Sequence, residues 1–190
     1  TGSTSFVGAA TVRELLRRGH TVTAIVRPKS SKLDTILEGN EEALLSGRLL
    51  VTENDLSEPE KLLEKVTKPQ DVFCHFGWGG SGSASRTDKA LQEKNMEISL
   101  ETVRTAEALG CKKFLFSGSQ AEYGMHQDLI TEDTVCEPKS LYGEAKLAMR
   151  EKGEKLCDEL GLRYIHARIF SAYGPGDHPW TLVESCLDTF

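Results

Sequence analysis

Tyr142 and Lys146 stand one helical turn apart in Leu141-Tyr142-Gly143-Glu144-Ala145-Lys146. At about 1.5 Å of rise per residue they share a helix face, about 6 Å apart along its axis. An ammonium beside a phenol stabilises the phenolate and eases loss of the proton. A hydroxyl nearby can orient the same substrate oxygen, and Ser119 lies upstream, at the end of an apolar strand. Phenol, ammonium and hydroxyl are the parts of a general acid/base for interconverting an alcohol and a ketone. Tyr-x-x-x-Lys on its own is common on solvated helix faces, so its meaning rests on the elements that carry it.

Those elements alternate. Residues 21–26, 48–52, 71–76, 113–117 and 163–168 read as apolar strands. Residues 6–18, 58–66, 90–109 and 141–160 read as helices, with a short broken helix over 33–45 around Gly39-Asn40. Gly19, Gly110 and Gly161 stand just past helix ends, where a left-handed residue is wanted. Residues 77–85 (GWGGSGSAS) form a glycine-rich loop. Such alternation predicts a doubly wound parallel α/β sheet of the Rossmann type, which binds ligands beyond the carboxyl ends of its strands. The distinctive residues gather at those ends: 2–8, Arg27, Asp55, 77–80, 117–124 and 169–176. The chain opens inside a turn with no strand before it and stops in a helical stretch, so a first strand and most of a C-terminal region are expected to be missing. Residues 1–170 form the dinucleotide-binding domain on this reading, and 171–190 begin a substrate-binding region.

Composition bounds the partners. The chain has 190 residues and a formal net charge of −6, which argues against a nucleic-acid surface. No apolar run approaches the roughly 18 residues of a membrane span. The five cysteines are scattered, without metal-ligand spacing, and read as reduced thiols of a cytoplasmic protein with no metal.

Residues 1–8 (TGSTSFVG) read as a glycine-rich turn opening a helix. Gly2 would let the chain turn, and Gly8 would let the helix pack on the sheet. The helix start, with Ser5, Phe6 and Val7, offers unpaired amides and a positive dipole end to a pyrophosphate. Ser5 replaces the middle glycine usual in such turns. At the end of the second strand an Asp or Glu would hold the ribose 2′-hydroxyl of NAD. Val26-Arg27-Pro28-Lys29 stands there instead, with Lys32 behind it. Arg27 could pair with a 2′-phosphate, so NADP is favoured over NAD.

Taken in order, these residues resemble the extended short-chain dehydrogenase/reductases, in particular the NAD(P)-dependent sugar-nucleotide epimerase/dehydratase family. Its markers run through nearly the whole chain. They are the 2–8 turn, Asp55-Leu56, His75-Phe76-Gly77, Asn95, Ser117-Gly118-Ser119, Tyr142-x-x-x-Lys146 and the stretch from Arg168 to Gly176 (RIFSAYGPG). The resemblance implies that Asp55 and Leu56 lie against the adenine. Phe76 and Gly77, with Trp78 beside them, would line the cofactor, and Asn95 and Ser117 would join its site. It implies Tyr142 as the acid/base, and Lys146 as holder of the nicotinamide ribose and depressor of the Tyr142 pKa. Ser119 is preferred over Ser117 as the sugar-binding hydroxyl. Phe170, Ser171 and Tyr173 would border nicotinamide and sugar. His126 and His178 are read as loop residues.

Departures narrow the chemistry. Dehydratases of the group carry an acidic pair, or at least a Glu, after the catalytic hydroxyl. Here Gln120 and Ala121 stand there, and neither serves as an acid or base. Glu122, one residue late on an extended stretch, would face the other side. Ser171 stands where the family usually has Asn. The expectation is a sugar-nucleotide epimerase acting at C4. The alternatives are an NADPH-dependent 4-keto sugar-nucleotide reductase and, from another class, a non-catalytic dinucleotide-binding regulator. The family also implies a possible homodimer through the two long helices.

Overall fold

The computed structural model describes residues 1–80, 82, 84–177 and 181–187. Five parallel strands alternate with helices, as the apolar runs predict. Helix α1 (Phe6–Arg17) leads to β1 (Val22–Val26), and two short helices, α2 (Asp34–Leu37) and α3 (Glu41–Leu45), break around Gly39-Asn40. Strand β2 (Leu49–Glu53) and β3 (Val72–His75) flank a 3-10 turn, Pro59–Lys61, that runs into α4 (Leu62–Lys65). The long helices α5 (Lys89–Ala108) and α6 (Leu141–Glu159) bracket β4 (Lys113–Ser119). Strand β5 (Arg163–Ile169) and α7 (Leu182–Leu187) complete the order.

Local chemistry sets the helix ends. Ser5, Asp88 and Ser140 cap α1, α5 and α6, each accepting a hydrogen bond from the third residue on at 3.1 Å. Gly19, Gly110 and Gly161 take the expected left-handed conformation, with φ of 83°, 84° and 70°. The single helix expected over 58–66 is a tight turn and a four-residue α4 instead. Val66, the residue after α4, is already extended, with φ −103° and ψ 94°.

The described strands form two parallel sheets. Strands β1 and β2 pair from Val22↔Leu49 to Val26↔Glu53. Strands β3, β4 and β5 form the second sheet, with β4 central. Between β1 and β3 runs a slot of about 110 Å³, lined by Ser3, Thr11, Leu15, Ile25, Val72 and Phe76 among others. Thr1 also borders it, and there Phe76 N donates to Thr1 O at 3.1 Å.

Strand β4 is covered on both faces, and its Phe114 and Phe116 are wholly buried. They join Phe73, Val103, Met149, Cys157 and Leu162 in the larger core. Truncating either ring to Ala would cost about 3–5 kcal/mol. A second core (Ala9, Val12, Leu16, Ala24, Val26 and Leu49) holds α1 on the first sheet. Helices α5 and α6 pack on each other. Every exposed side chain on α6 is charged, as is every one on α5 except the terminal alanines Ala90 and Ala108. No helix among the described residues is long and apolar enough to cross a membrane.

Strand β4 runs two residues past its expected end, because β5 pairs with it through Ser119↔Ile169. Ser119, rather than Ser117, therefore stands where the strand gives way to a 3-10 turn, Gln120–Glu122.

Candidate active site

The turns that follow the strands enclose one cleft of about 1640 Å³. It reaches from the 2–8 turn past Arg27 and Asp55 at one end to Ser119, Tyr142 and Phe170 at the other.

At the first end, Gly2 has φ 71°, and a Cβ there would come within 2.7 Å of Gly77 N and Phe76 C. A bare backbone is required for turn and loop to touch. Gly8 serves the turn rather than the sheet, contrary to expectation: its missing Cβ would overlap the carbonyl oxygen of Gly2. Ser5 Oγ accepts from Gly8 N, and Ser5 N donates to Gly2 O at 3.0 Å. The Phe6 and Val7 amides are left at the helix start with no intrahelical acceptor. Both residues line the cleft. Two unpaired amides at the positive end of a 12-residue helix fit a pyrophosphate.

Arg27 is exposed at the cleft mouth near Arg13 and Lys32, but carboxylates stand there too. Asp34 and Glu38 line the same mouth. Glu53, brought across by β2, accepts from Lys29 N at 3.3 Å. Asp55 lines the cleft with its carboxylate engaged by its own turn, accepting from Ser57 N at 2.9 Å and Ser57 Oγ at 2.6 Å. Those bonds hold its pKa below the usual carboxylate value. Leu56 packs where a Gly77 side chain would be, its Cδ1 2.7 Å from that position.

Asn95 does not line the cleft. It is buried and locks the loop over it, donating to Gly79 O at 2.8 Å and accepting from Gly79 N at 2.9 Å. Gln92, one turn earlier on α5, accepts from Trp78 Nε1 at 3.0 Å and donates to Ser85 O at 2.8 Å. Two buried amides thus hold a glycine-rich loop, and with them the Trp78 indole. Polar residues at 92, 95 and 99 on one helix face were the readable signal for this role.

At the other end, Ser119, Tyr142 and Lys146 come together from β4 and α6 and line one wall. Lys146 is 2% exposed; its Nζ donates to Ser117 O at 2.8 Å and lies 3.8 Å from the Trp78 ring centroid and 4.5 Å from that of Phe116. Burial pushes its pKa from 10.5 down to about 7, with Glu122 pulling the other way. The expected depression of the Tyr142 pKa by Lys146 is not what the geometry gives. Burial raises the phenol's pKa, while hydrogen bonding with Ser119 and the charge of Arg86 oppose the rise. Lys146 Nζ lies 5.6 Å from the Tyr142 ring centroid, committed to a carbonyl and two aromatic faces. The Arg86 guanidinium sits 5.0 Å over the Tyr142 ring and also lines the cleft. Arg86 lay in an ordinary polar stretch of sequence and was missed.

Gln120 and Ala121 line the cleft beside Ser119. Glu122 turns away from it, but because of the 3-10 turn, not an extended strand. Phe170 is 48% exposed, lines the cleft and packs against Tyr123 at 5.9 Å between centroids. Ser171 and Tyr173 are exposed and outside its lining. His126 Nε2 lies 2.8 Å from Tyr123 O, a loop bond. His178 and Trp180 lie outside the described residues. Among the described residues the cysteines form no disulfide, and no cluster of three or more His, Cys, Asp or Glu could hold a metal.

A glycine turn at a helix start, a cleft along the carboxyl ends of parallel strands, and a Tyr–Lys pair with a serine define a dinucleotide-binding α/β domain of the Rossmann class. The sequence profile of the NAD dependent epimerase/dehydratase family matches residues 1–189, and the chain belongs to that family. It is similar to a UDP-glucose 4-epimerase of Pisum sativum, 28% identical over 180 residues that cover 92% of this chain and 51% of the relative. It is also similar to an ADP-L-glycero-D-manno-heptose-6-epimerase of Alkalilimnicola ehrlichii, 24% identical over 176 residues, 92% of this chain and 52% of the relative. In fold it superposes on the Thermus thermophilus UDP-glucose 4-epimerase in complex with NAD, with a TM-score of 0.79 and 20% identity over 98% of this chain and 59% of that one. The chain thus spans about half the length of these curated relatives.

Proposed function

We propose that the chain is the catalytic, dinucleotide-binding part of a sugar-nucleotide epimerase, acting at a carbinol carbon, C4 by its likeness to the 4-epimerases. One observation carries this reading: Ser119, Tyr142 and Lys146 meet on a cleft wall continuous with the glycine turn. When bound, a nicotinamide dinucleotide supplies the hydride acceptor and donor. Its pyrophosphate fits the Phe6 and Val7 amides, and its nicotinamide ribose falls to Tyr142 and Lys146. Gly77 and Trp78 would line it, and Asp55 and Leu56 would meet its adenine end. Tyr142 takes the proton of the sugar hydroxyl as the C–O bond gains double-bond character and returns it afterwards. Ser119 Oγ, already accepting from Ala121 N at 3.2 Å, keeps its own proton to donate to that oxygen. Arg86, over the Tyr142 ring, supplies the positive charge that favours the phenolate. Without an acid at 120 or 121, elimination of water has no catalyst in this wall.

Arg13, Arg27 and Lys32 at the cleft mouth favour a second reading, a reductase using NADPH. Asp34, Glu38 and Glu53 nearby temper it. Retention of the cofactor through purification supports the epimerase, and stoichiometric NADPH consumption with a 4-keto sugar nucleotide supports the reductase. The substitution Tyr142→Phe is expected to lower turnover by about 10²–10⁴-fold with cofactor binding kept. A cofactor-loaded protein with no Tyr142-dependent turnover across a broad sugar-nucleotide panel would leave the non-catalytic regulator standing.

A further inference from the structure

Behind the wall that carries Ser119 and Tyr142 lies a buried ionic cluster that the proposed chemistry does not use. Glu122 is 0% exposed. Its Oε1 accepts from Ser119 N at 2.7 Å, and its Oε2 from Arg168 Nε at 2.9 Å. His166 Nε2 lies 2.9 Å from both oxygens. Arg168 Nη1 donates onward to Tyr123 Oη at 2.6 Å, and His166 Nδ1 lies 3.1 Å from Tyr164 Oη. Space for the cluster exists because residue 118 is glycine. A Cβ there would come 2.7 Å from Glu122 Oε1 and would overlap His166 Nε2. Burial pushes the Glu122 carboxyl up, but its bonds to His166, Ser119 and Arg168 prevail and hold it ionised.

Stability alone explains this arrangement poorly, since a buried ion pair gains little over apolar packing of the same volume. Its contact with Ser119 is specific. Glu122 takes the Ser119 amide while Ser119 Oγ takes the Ala121 amide, the two halves of a capping box. With its N–H and one lone pair fixed, the hydroxyl keeps its proton for the cleft. We infer that Glu122, braced by Arg168 and His166, is a positioning residue that aims the Ser119 hydroxyl at Tyr142 and the substrate oxygen. This inference rests on the function proposed above.

The test is a double-mutant cycle on the full chain with its cofactor bound. Three donors face the carboxylate, and a glutamine offers them one acceptor oxygen, so Glu122→Gln cannot hold Ser119, His166 and Arg168 together. Glu122→Gln is expected to lower kcat about 10- to 100-fold, with KM and cofactor affinity within about twofold. In the Ser119→Ala background the same change is expected to cost less than about twofold, because the group it acts through is gone. An equal loss in both backgrounds, or a loss that follows cofactor affinity, overturns the inference. If no sugar nucleotide turns over, the proposed function fails, and the inference is judged on Tyr142 ionisation. That is read by phenolate absorbance with Tyr142→Phe as the blank. Losing a hydrogen bond from Ser119 raises the phenol's pKa, whereas merely removing a nearby carboxylate lowers it. A rise in Glu122→Gln that vanishes in the Ser119→Ala background supports the positioning role, and a fall refutes it. If Glu122→Gln does not fold, Glu122→Asp, a methylene too short to span Arg168 and Ser119, is read the same way.

Discussion

Lys146 is a buried cation, and replacing it should stabilise the cofactor-free protein. Burial takes its pKa from 10.5 to about 7. At about 1.4 kcal/mol per pH unit, that drop is a charging cost on the order of 5 kcal/mol. The Trp78 and Phe116 faces, 3.8 and 4.5 Å away, offset about 1–2 kcal/mol each. The net cost is roughly 2 kcal/mol, present wherever the folded-state amine is protonated. Here the folded pKa lies below the unfolded one, so between them the unfolded chain binds more protons and stability rises with pH. The rise starts at the folded value, at or above about 7, and ends near 10.5. Lys146→Met should remove this slope and gain roughly 2 kcal/mol at pH 7, less what the lost bond to Ser117 O contributed, about 1 kcal/mol. Urea unfolding of both proteins from pH 6 to 10, without cofactor, measures it. Parallel stability curves for the two proteins would refute the reasoning.

Gly8→Ala should destabilise by at least about 1–3 kcal/mol and abolish dinucleotide binding, because the new methyl meets the Gly2 carbonyl; thermal melts and cofactor titration measure both. Asn95→Leu strands the amide and carbonyl of Gly79, at about 1–3 kcal/mol each, so Gly79 hydrogen exchange should accelerate and Trp78 emission should shift, with the sheets unaffected. Arg27→Glu should weaken NADP(H) binding about tenfold or more and NAD(H) by less than about twofold if Arg27 meets a 2′-phosphate; an equal loss for both would assign it no such role.

What was legible in the sequence was local. Tyr142 and Lys146 share a helix face by spacing alone, and the glycines at 19, 110 and 161 end helices through their own backbone freedom. The parallel α/β class followed from alternation. The rest depends on partners far along the chain. Lys146 reads as a cation beside a phenol until Trp78, 68 positions earlier, is found over its amine. Asn95 reads as a cofactor-site residue by family likeness, and its two bonds to Gly79, sixteen positions earlier, were not legible. Glu122 faces away from the cleft as strand alternation predicts, but because β4 ends at Ser119 and the next three residues coil into a 3-10 turn. Its partners His166 and Arg168 lie 44 and 46 residues on.

The charged outer surfaces of α5 and α6 bear on how two copies of the chain could meet. Acidic side chains outnumber basic ones on each: Glu93, Glu97, Glu101 and Glu107 against Lys89, Lys94 and Arg104, then Glu144, Glu151, Glu154, Asp158 and Glu159 against Arg150, Lys152 and Lys155. Two such surfaces brought face to face repel at long range, and dissolved ions shorten that reach to about 8 Å at physiological strength. Self-association by this route would therefore tighten as salt is added and loosen on dilution into pure water, the reverse of a union held by opposite charges.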